Sequence, residues 1–389
     1  MEHCVIVGAG LAGHSTAVAL RGRGFTGRIT LLGAEPHAPY DRPPLSKQLL
    51  RGEVDDTTLP ADPAALDLDC RFGVRATGLS DGAVVTDAGE VAYDAVVLAT
   101  GAAPVRLPGD PHQRTLRTVE DARALRSSLR AGRRLAVVGA GWIGAELATA
   151  ARAAGCAVTV VEAAATPLAT ALPAPIAELT TGWWEVAGVD LRLSTAVRAV
   201  EPDGLALEGG EHLGADDVVV AVGVRPEVGW LAGSGLDIAD AVRVDAGLRA
   251  APRVWAVGDV AAWWSERYAE HVRVEHWDNA LRGPEVAAAT LLGEQVTYDP
   301  VPYVWSEQFG RYVQYAGRPR AGDAQVWRGD PENEAAWSVC WVRDGRITAV
   351  LGVDRPRDAV QARRMAERGT PVDEGRLADP GVSVKQARA

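Results

Sequence analysis

The chain carries a partial copy of itself. Residues 5–20 read VIVGAGLAGHSTAVAL, and residues 136–151 read AVVGAGWIGAELATAA. A repeat of this kind implies two domains of similar build. Each copy opens on a short branched apolar strand, passes through GxGxxG and enters an Ala-rich helical stretch. A second strand follows in each, RITLL at 28–32 and AVTVV at 157–161. That order describes a βαβ unit, the building block of a parallel sheet. Further strands are expected at 94–99, 217–222 and 253–257, each halting at a glycine-containing turn. The last stretch changes character: AAWSVCWV at 335–342 and RITAVLGV at 346–353 read as strands, and a helix is expected from Pro356 to Arg368. It reads as a third domain, of α+β type.

The glycine turns have a chemical use. In the first, Gly8 permits the tight turn, Gly10 lets the backbone approach a pyrophosphate, and Gly13 lets the helix lie close to its strand. The anion rests on the helix N-terminus, with Leu11 and Ala12 at the contact. Glu35, shortly after the second strand, is placed to accept hydrogen bonds from a ribose. The second turn repeats the set with Gly139, Gly141, Gly144 and Glu162, and with Ile143 at the contact. Two copies in register, each with strand, helix, second strand and acid, are far more specific than a lone GxGxxG. Glu162 also bears on nucleotide choice, because a carboxylate accepts the 2′-hydroxyl of NADH and repels the 2′-phosphate of NADPH. Ala163, Ala164 and Ala165 follow it, with no Arg to hold that phosphate. NADH is the expected donor.

Composition narrows the setting. At 389 residues the chain can build two or three hydrophobic cores. No apolar run approaches the roughly eighteen residues of a membrane helix. The first strand starts at about His3, which leaves no room for a signal peptide, and a cytoplasmic location is expected. A net charge of −11 argues against a nucleic-acid partner. Cys4, Cys70, Cys156 and Cys340 are too scattered for a zinc pattern or a redox pair and read as small buried apolar residues; no metal site is expected. The chain has 38 Arg but only two Lys, so a retained Lys marks its position.

Five further motifs carry a resemblance. PYDRPPLSK at 39–47, VVLATGAAP at 96–104, VWAVGDVA at 254–261, VEHWDNA at 274–280 and VPYVWSEQ at 301–308 are similar to those of the FAD-dependent NADH:ferredoxin reductases, the putidaredoxin and rubredoxin reductase type. The similarity covers nearly the whole chain. It implies a glutathione-reductase-like architecture: two Rossmann-like dinucleotide-binding domains, the first for FAD and the second for NADH, plus the C-terminal α+β domain. It implies Arg42 near the FAD phosphate and adenosine, and Lys47 near the isoalloxazine, where a preorganised cation stabilises the charge that arrives with hydride. Glu146 matches the carboxylate that approaches this lysine near the nicotinamide, which makes Lys47 and Glu146 the catalytic candidates.

The same resemblance places Asp259, after Gly258, at the ribityl hydroxyls, although an Asp in such a turn also serves as a helix N-cap. Thr100 and Gly101, with Ala99 before them, and Ala76 match contacts of the FAD domain. Glu275, His276, Trp277 and Trp305 match positions around the flavin, and Gly223 is a further cofactor-binding candidate. There are two departures. Gly283 and Pro284 stand where the family commonly has Gln-Gly, which is expected to reshape the start of that helix, and Ala103 replaces a frequent Arg.

The expected division is an FAD domain of residues 1–108 and 230–300, an NADH domain of 109–229 and a C-terminal domain of 301–389. The expected activity is transfer of electrons from NADH through FAD, one at a time, to an iron–sulfur ferredoxin that feeds a cytochrome P450 or a ring-hydroxylating dioxygenase. Alternatives are an NADH-binding flavoprotein redox sensor, a flavin monooxygenase or an NADH oxidase. No Cys occurs between Cys4 and Cys70, which excludes thiol chemistry where disulfide reductases and NADH peroxidases keep it. An acidic chain that docks an acidic ferredoxin needs a locally basic face, and Arg311, Arg318 and Arg320 are the candidates.

Overall fold

The computed structural model describes residues 1–61, 63–111 and 113–389. The chain forms two compact units, each containing one copy of the repeat. The first unit comprises residues 1–41, 57–103 and 224–302. Its main sheet runs Arg249–Ala251, Val254–Ala256, Ala95–Leu98, β1 (His3–Val7), β2 (Arg28–Gly33) and Leu68–Phe72. The pairings are parallel except at the Arg249–Ala251 edge. Every residue of β1 and of Ala95–Leu98 is buried, as central parallel strands covered on both faces must be. After β2 the chain adds a strand outward and then returns to the far side of β1, so the strand order reverses there. Sheets of this kind bind ligands outside the carboxyl ends of the strands at such a switch point.

Helix α1 (Leu11–Gly22) follows β1 and packs along Trp277–Leu291. That second helix starts at Trp277, contains Pro284 and runs on to Leu291.

The second unit comprises residues 42–56, 104–223 and 303–389. Here β3 (Arg134–Val138), α2 (Trp142–Ala153) and β4 (Ala157–Val161) repeat the βαβ pattern inside a four-stranded parallel sheet, Asp190–Arg192, β4, β3, Asp217–Val220. The unit also holds a five-stranded antiparallel sheet that begins with β5 (Tyr303–Gln308) and β6 (Arg311–Gly317). The turn between these two strands is only Phe309 and Gly310, both at positive φ (52° and 74°), and it fixes the pairing of Gln308 with Arg311. One sheet face is covered by α3 (Pro356–Arg368), and the other packs Val313, Trp337 and Leu351 against Leu168, Ile176 and Trp183. Arg328, 1% exposed, pairs with Asp358 of α3 at 3.0 Å and caps the carbonyls of Asp379 and Val382, which ties the C-terminal tail to the sheet.

Candidate active site

The glycine turns of the two units have the same construction. Gly8 and Gly139 sit at φ 115° and 104°, where a side chain is strained. A Cβ on Gly13 or Gly144 would overlap the carbonyl oxygen of Gly8 or Gly139, so the third glycine of each turn is there for close packing. The middle glycines differ: nothing lies within 4 Å of where a Cβ would stand on Gly10 or Gly141. Each of these residues caps its helix without a side-chain hydrogen bond. The first-turn N–H groups of α1 and α2 are thus presented at an open backbone surface, as a pyrophosphate requires.

In the first unit, Ala99 N–H donates to the Val7 carbonyl at 2.7 Å, and Val257 N–H donates to that of Leu98 at 2.9 Å. These bonds bring Thr100, Gly101, Gly258 and Asp259 to the end of the sheet that carries Gly8. Gly258 must be glycine, since a Cβ there would stand 2.9 Å from that of Ala12. Asp259 is buried within the short turn Gly258–Val260. Glu35 follows β2 and accepts the hydroxyl of Tyr40. Ala76 opens the strand Ala76–Ser80. Glu275 is ion-paired with Arg273, His276 caps the following helix, and the Trp277 indole donates to Asp41 at 2.7 Å.

In the second unit, both carboxylate oxygens of Glu162 are engaged by nearby backbone. One carboxylate oxygen accepts the Ala140 N–H at 2.8 Å and the other the Ala164 N–H at 2.8 Å, so the acid braces the glycine turn itself. Gly223 follows the strand Asp217–Val220 at φ 103°, and Ile143 is 40% exposed at the start of α2. Arg42, which also belongs to this unit, donates to the Arg117 carbonyl.

Lys47 is no surface lysine. Its side chain is 6% exposed and its ammonium lies 2.8 Å from the Glu146 carboxylate, itself 2% exposed on α2. Two hydroxyls that the motifs did not single out complete the arrangement: Ser46 donates to Oε2 of Glu146, and Ser306 of β5 donates to Oε1 at 2.7 Å. The available signal was adjacency, since Ser46 precedes Lys47 and Ser306 follows Trp305. Trp305 stacks on Tyr303, with ring centroids 6.1 Å apart at 24°.

The three arginines proposed for docking do not all share a strand face with Trp305. Side chains alternate along a strand, so Trp305 lies on the α3 face while Arg311, opposite Gln308, lies on the other face. There its guanidinium sits 4.8 Å from the Trp183 ring. Arg318 and Arg320 are exposed beyond β6. The four cysteines are all free, and burial pushes the thiols of Cys4 and Cys340 up to about 12.

Residues 2–283 match the pyridine nucleotide-disulphide oxidoreductase family, and residues 303–388 match the reductase C-terminal family. The chain is 40% identical to the anthranilate 1,2-dioxygenase system ferredoxin–NAD(+) reductase component of Burkholderia cepacia, over 98% of each chain. It is 36% identical to rhodocoxin reductase of Rhodococcus erythropolis, over 99% of this chain and 94% of that one. Among solved structures, the covalent putidaredoxin reductase–putidaredoxin complex matches with a TM-score of 0.94 at 31% identity, covering 99% of this chain and 98% of that chain.

Proposed function

The chain belongs to the pyridine nucleotide-disulphide oxidoreductase family, with residues 303–388 matching the reductase C-terminal family, and on that premise we propose a cytoplasmic, FAD-dependent NADH:ferredoxin reductase. Its acceptor is an iron–sulfur ferredoxin that serves a cytochrome P450 or a ring-hydroxylating dioxygenase. The duplicated open glycine turn carries the reading, because it gives one chain two dinucleotide sites, one for a resident flavin and one for its electron donor. The cytoplasmic setting agrees with four free cysteines, and among the described residues no helix is long and apolar enough to cross a membrane. The thiol chemistry in the family name has no counterpart here, since no cysteine pair is present.

The residues fit the groups assigned to them. The open backbone at Gly10 and the N-terminus of α1 would hold the FAD pyrophosphate, Glu35 a ribose and Asp259 the ribityl chain. Gly141, the N-terminus of α2 and Glu162 would hold NADH. Bound flavin supplies the conversion of a two-electron donor into single-electron steps. In the second unit Lys47 and Glu146 orient the nicotinamide and exclude water from it.

The docking partner is met by charge. Residues 355–368 contain five arginines against two acids, in a chain whose net charge is −11. Arg357, Arg364 and Arg368 are exposed along α3, and Arg363 lies 4.6 Å over the Tyr303 ring. This helix, on the face of Trp305, offers an acidic ferredoxin the locally positive surface that Arg311 does not. Cofactor content tests the reading first: denatured protein should release FAD at one per chain, and anaerobic NADH should bleach the flavin of the native protein. Release of FMN or of no flavin would overturn it.

A further inference from the structure

We infer that Ser46 and Ser306 are positioning residues that lock the Glu146 side chain onto Lys47, so that the lysine acts as half of a closed pair and not as a lone cation. The inference rests on the reading of Lys47 and Glu146 as the nicotinamide-side pair and says how that pair is held.

Desolvation makes this pair costly unless its partners are well placed. Both members are almost fully buried, and a buried ion pair is tolerated only when its geometry is good and its remaining hydrogen-bonding capacity is met. Glu146 meets that condition with three donors from two chain segments. Oε2 takes the Lys47 ammonium at 2.8 Å and the Ser46 hydroxyl, both from the same turn, and Oε1 takes the Ser306 hydroxyl at 2.7 Å from β5. The Ser46 hydroxyl also lies 3.5 Å from the Pro43 carbonyl, so the same turn holds both the serine and the lysine. Beyond Glu146, the Lys47 ammonium has the Pro43 carbonyl at 3.4 Å. The serines themselves are 3% and 0% exposed, so water has little access to replace them.

The pair therefore presents a fixed dipole. A lone cation would pull on any negative charge nearby, whereas a cation matched by a locked carboxylate has no net charge and acts mainly through its orientation. Removing a serine leaves a carboxylate oxygen buried and short of a donor, and the lysine loses a fixed partner.

Two measurements test this. The first does not depend on turnover. The chain has only Lys47 and Lys385 as lysines, so reductive methylation of the purified full-length protein, read by peptide mass spectrometry, reports on Lys47 directly. Exposed Lys385 should react quickly and Lys47 should stay protected. In Ser46→Ala, Ser306→Ala and the double variant, Lys47 should become at least about tenfold more reactive, which corresponds to roughly 1.4 kcal/mol of lost pairing. Unchanged protection in all three would show that burial alone shields the lysine and would overturn the inference.

The second measurement is stopped-flow flavin reduction by NADH in Ser306→Ala, Glu146→Gln and the two combined. A serine that acts only through Glu146 should slow reduction by itself and add nothing once Glu146 is gone; additive slowing would contradict the positioning role. Normal reduction in Glu146→Gln would instead overturn the siting of the nicotinamide, while the methylation result still decides the serine lock.

Discussion

At Glu162 one carboxylate braces the backbone of its own turn and, in our reading, receives the ribose of NADH. Its oxygens accept N–H groups from Ala140 and Ala164, and a carboxylate offers about four lone-pair sites, so capacity for a ribose hydroxyl remains. A 2′-phosphate would meet the same charge as a repulsion. NADH should therefore exceed NADPH by at least about tenfold in kcat/KM, the scale of a like-charge contact. Glu162→Gln should narrow that gap and also raise KM for NADH, because an amide cannot accept from both backbone N–H groups. Equal kcat/KM for the two nucleotides in the unaltered protein would remove the charge argument. The acid was legible in the sequence, since it stands at a fixed distance after a glycine turn. Its bracing role was not, because a hydrogen bond back to the turn depends on how the loops close. Ser46 and Ser306 were hidden for the same reason: a serine has no spacing signature, and the direction of its hydroxyl is set only when α2, the Pro43–Ser46 turn and β5 are packed together.

The elements were readable wherever covalent geometry leaves little choice. GxGxxG imposes one backbone path, and the buried β1 and β3 had to be central strands once they were seen as continuous apolar runs. The open middle glycine and the packed third glycine make opposite predictions. Gly13→Ala drives a methyl into the Gly8 carbonyl and should cost about 1–3 kcal/mol, seen as a lower Tm of the apoprotein. Gly10→Ala meets no protein atom and should change apoprotein stability by only about 0.5 kcal/mol or less. Its methyl occupies the space assigned to the pyrophosphate, so that variant should fold and lose FAD. Full flavin content in Gly10→Ala, measured against protein concentration, would contradict the assignment. Arg311 shows what spacing alone cannot supply. The two-residue turn at Phe309 and Gly310 pairs it with Gln308 and sends it to the face opposite Trp305; a different loop length would have reversed that outcome.

At the scale of the molecule, the chain carries a net charge of −11, and the docking we propose for an acidic ferredoxin depends on a local balance. The arginines of α3 should steer the encounter, so ferredoxin reduction should slow as ionic strength rises, while reduction of the flavin by NADH barely changes. Arg364→Glu should raise KM for ferredoxin by about three- to tenfold, and Arg311→Glu should leave it near the original value; the reverse ranking in steady-state assays would move the docking face to the other side of the sheet. The central claim is that electrons enter in pairs from NADH and leave singly to an iron–sulfur carrier. Its most direct test is an anaerobic reaction of catalytic protein with limiting NADH and excess oxidised ferredoxin, following the iron–sulfur absorbance. The account predicts two ferredoxins reduced for every NADH consumed; a flavin that NADH reduces fully but that leaves the ferredoxin oxidised would contradict it.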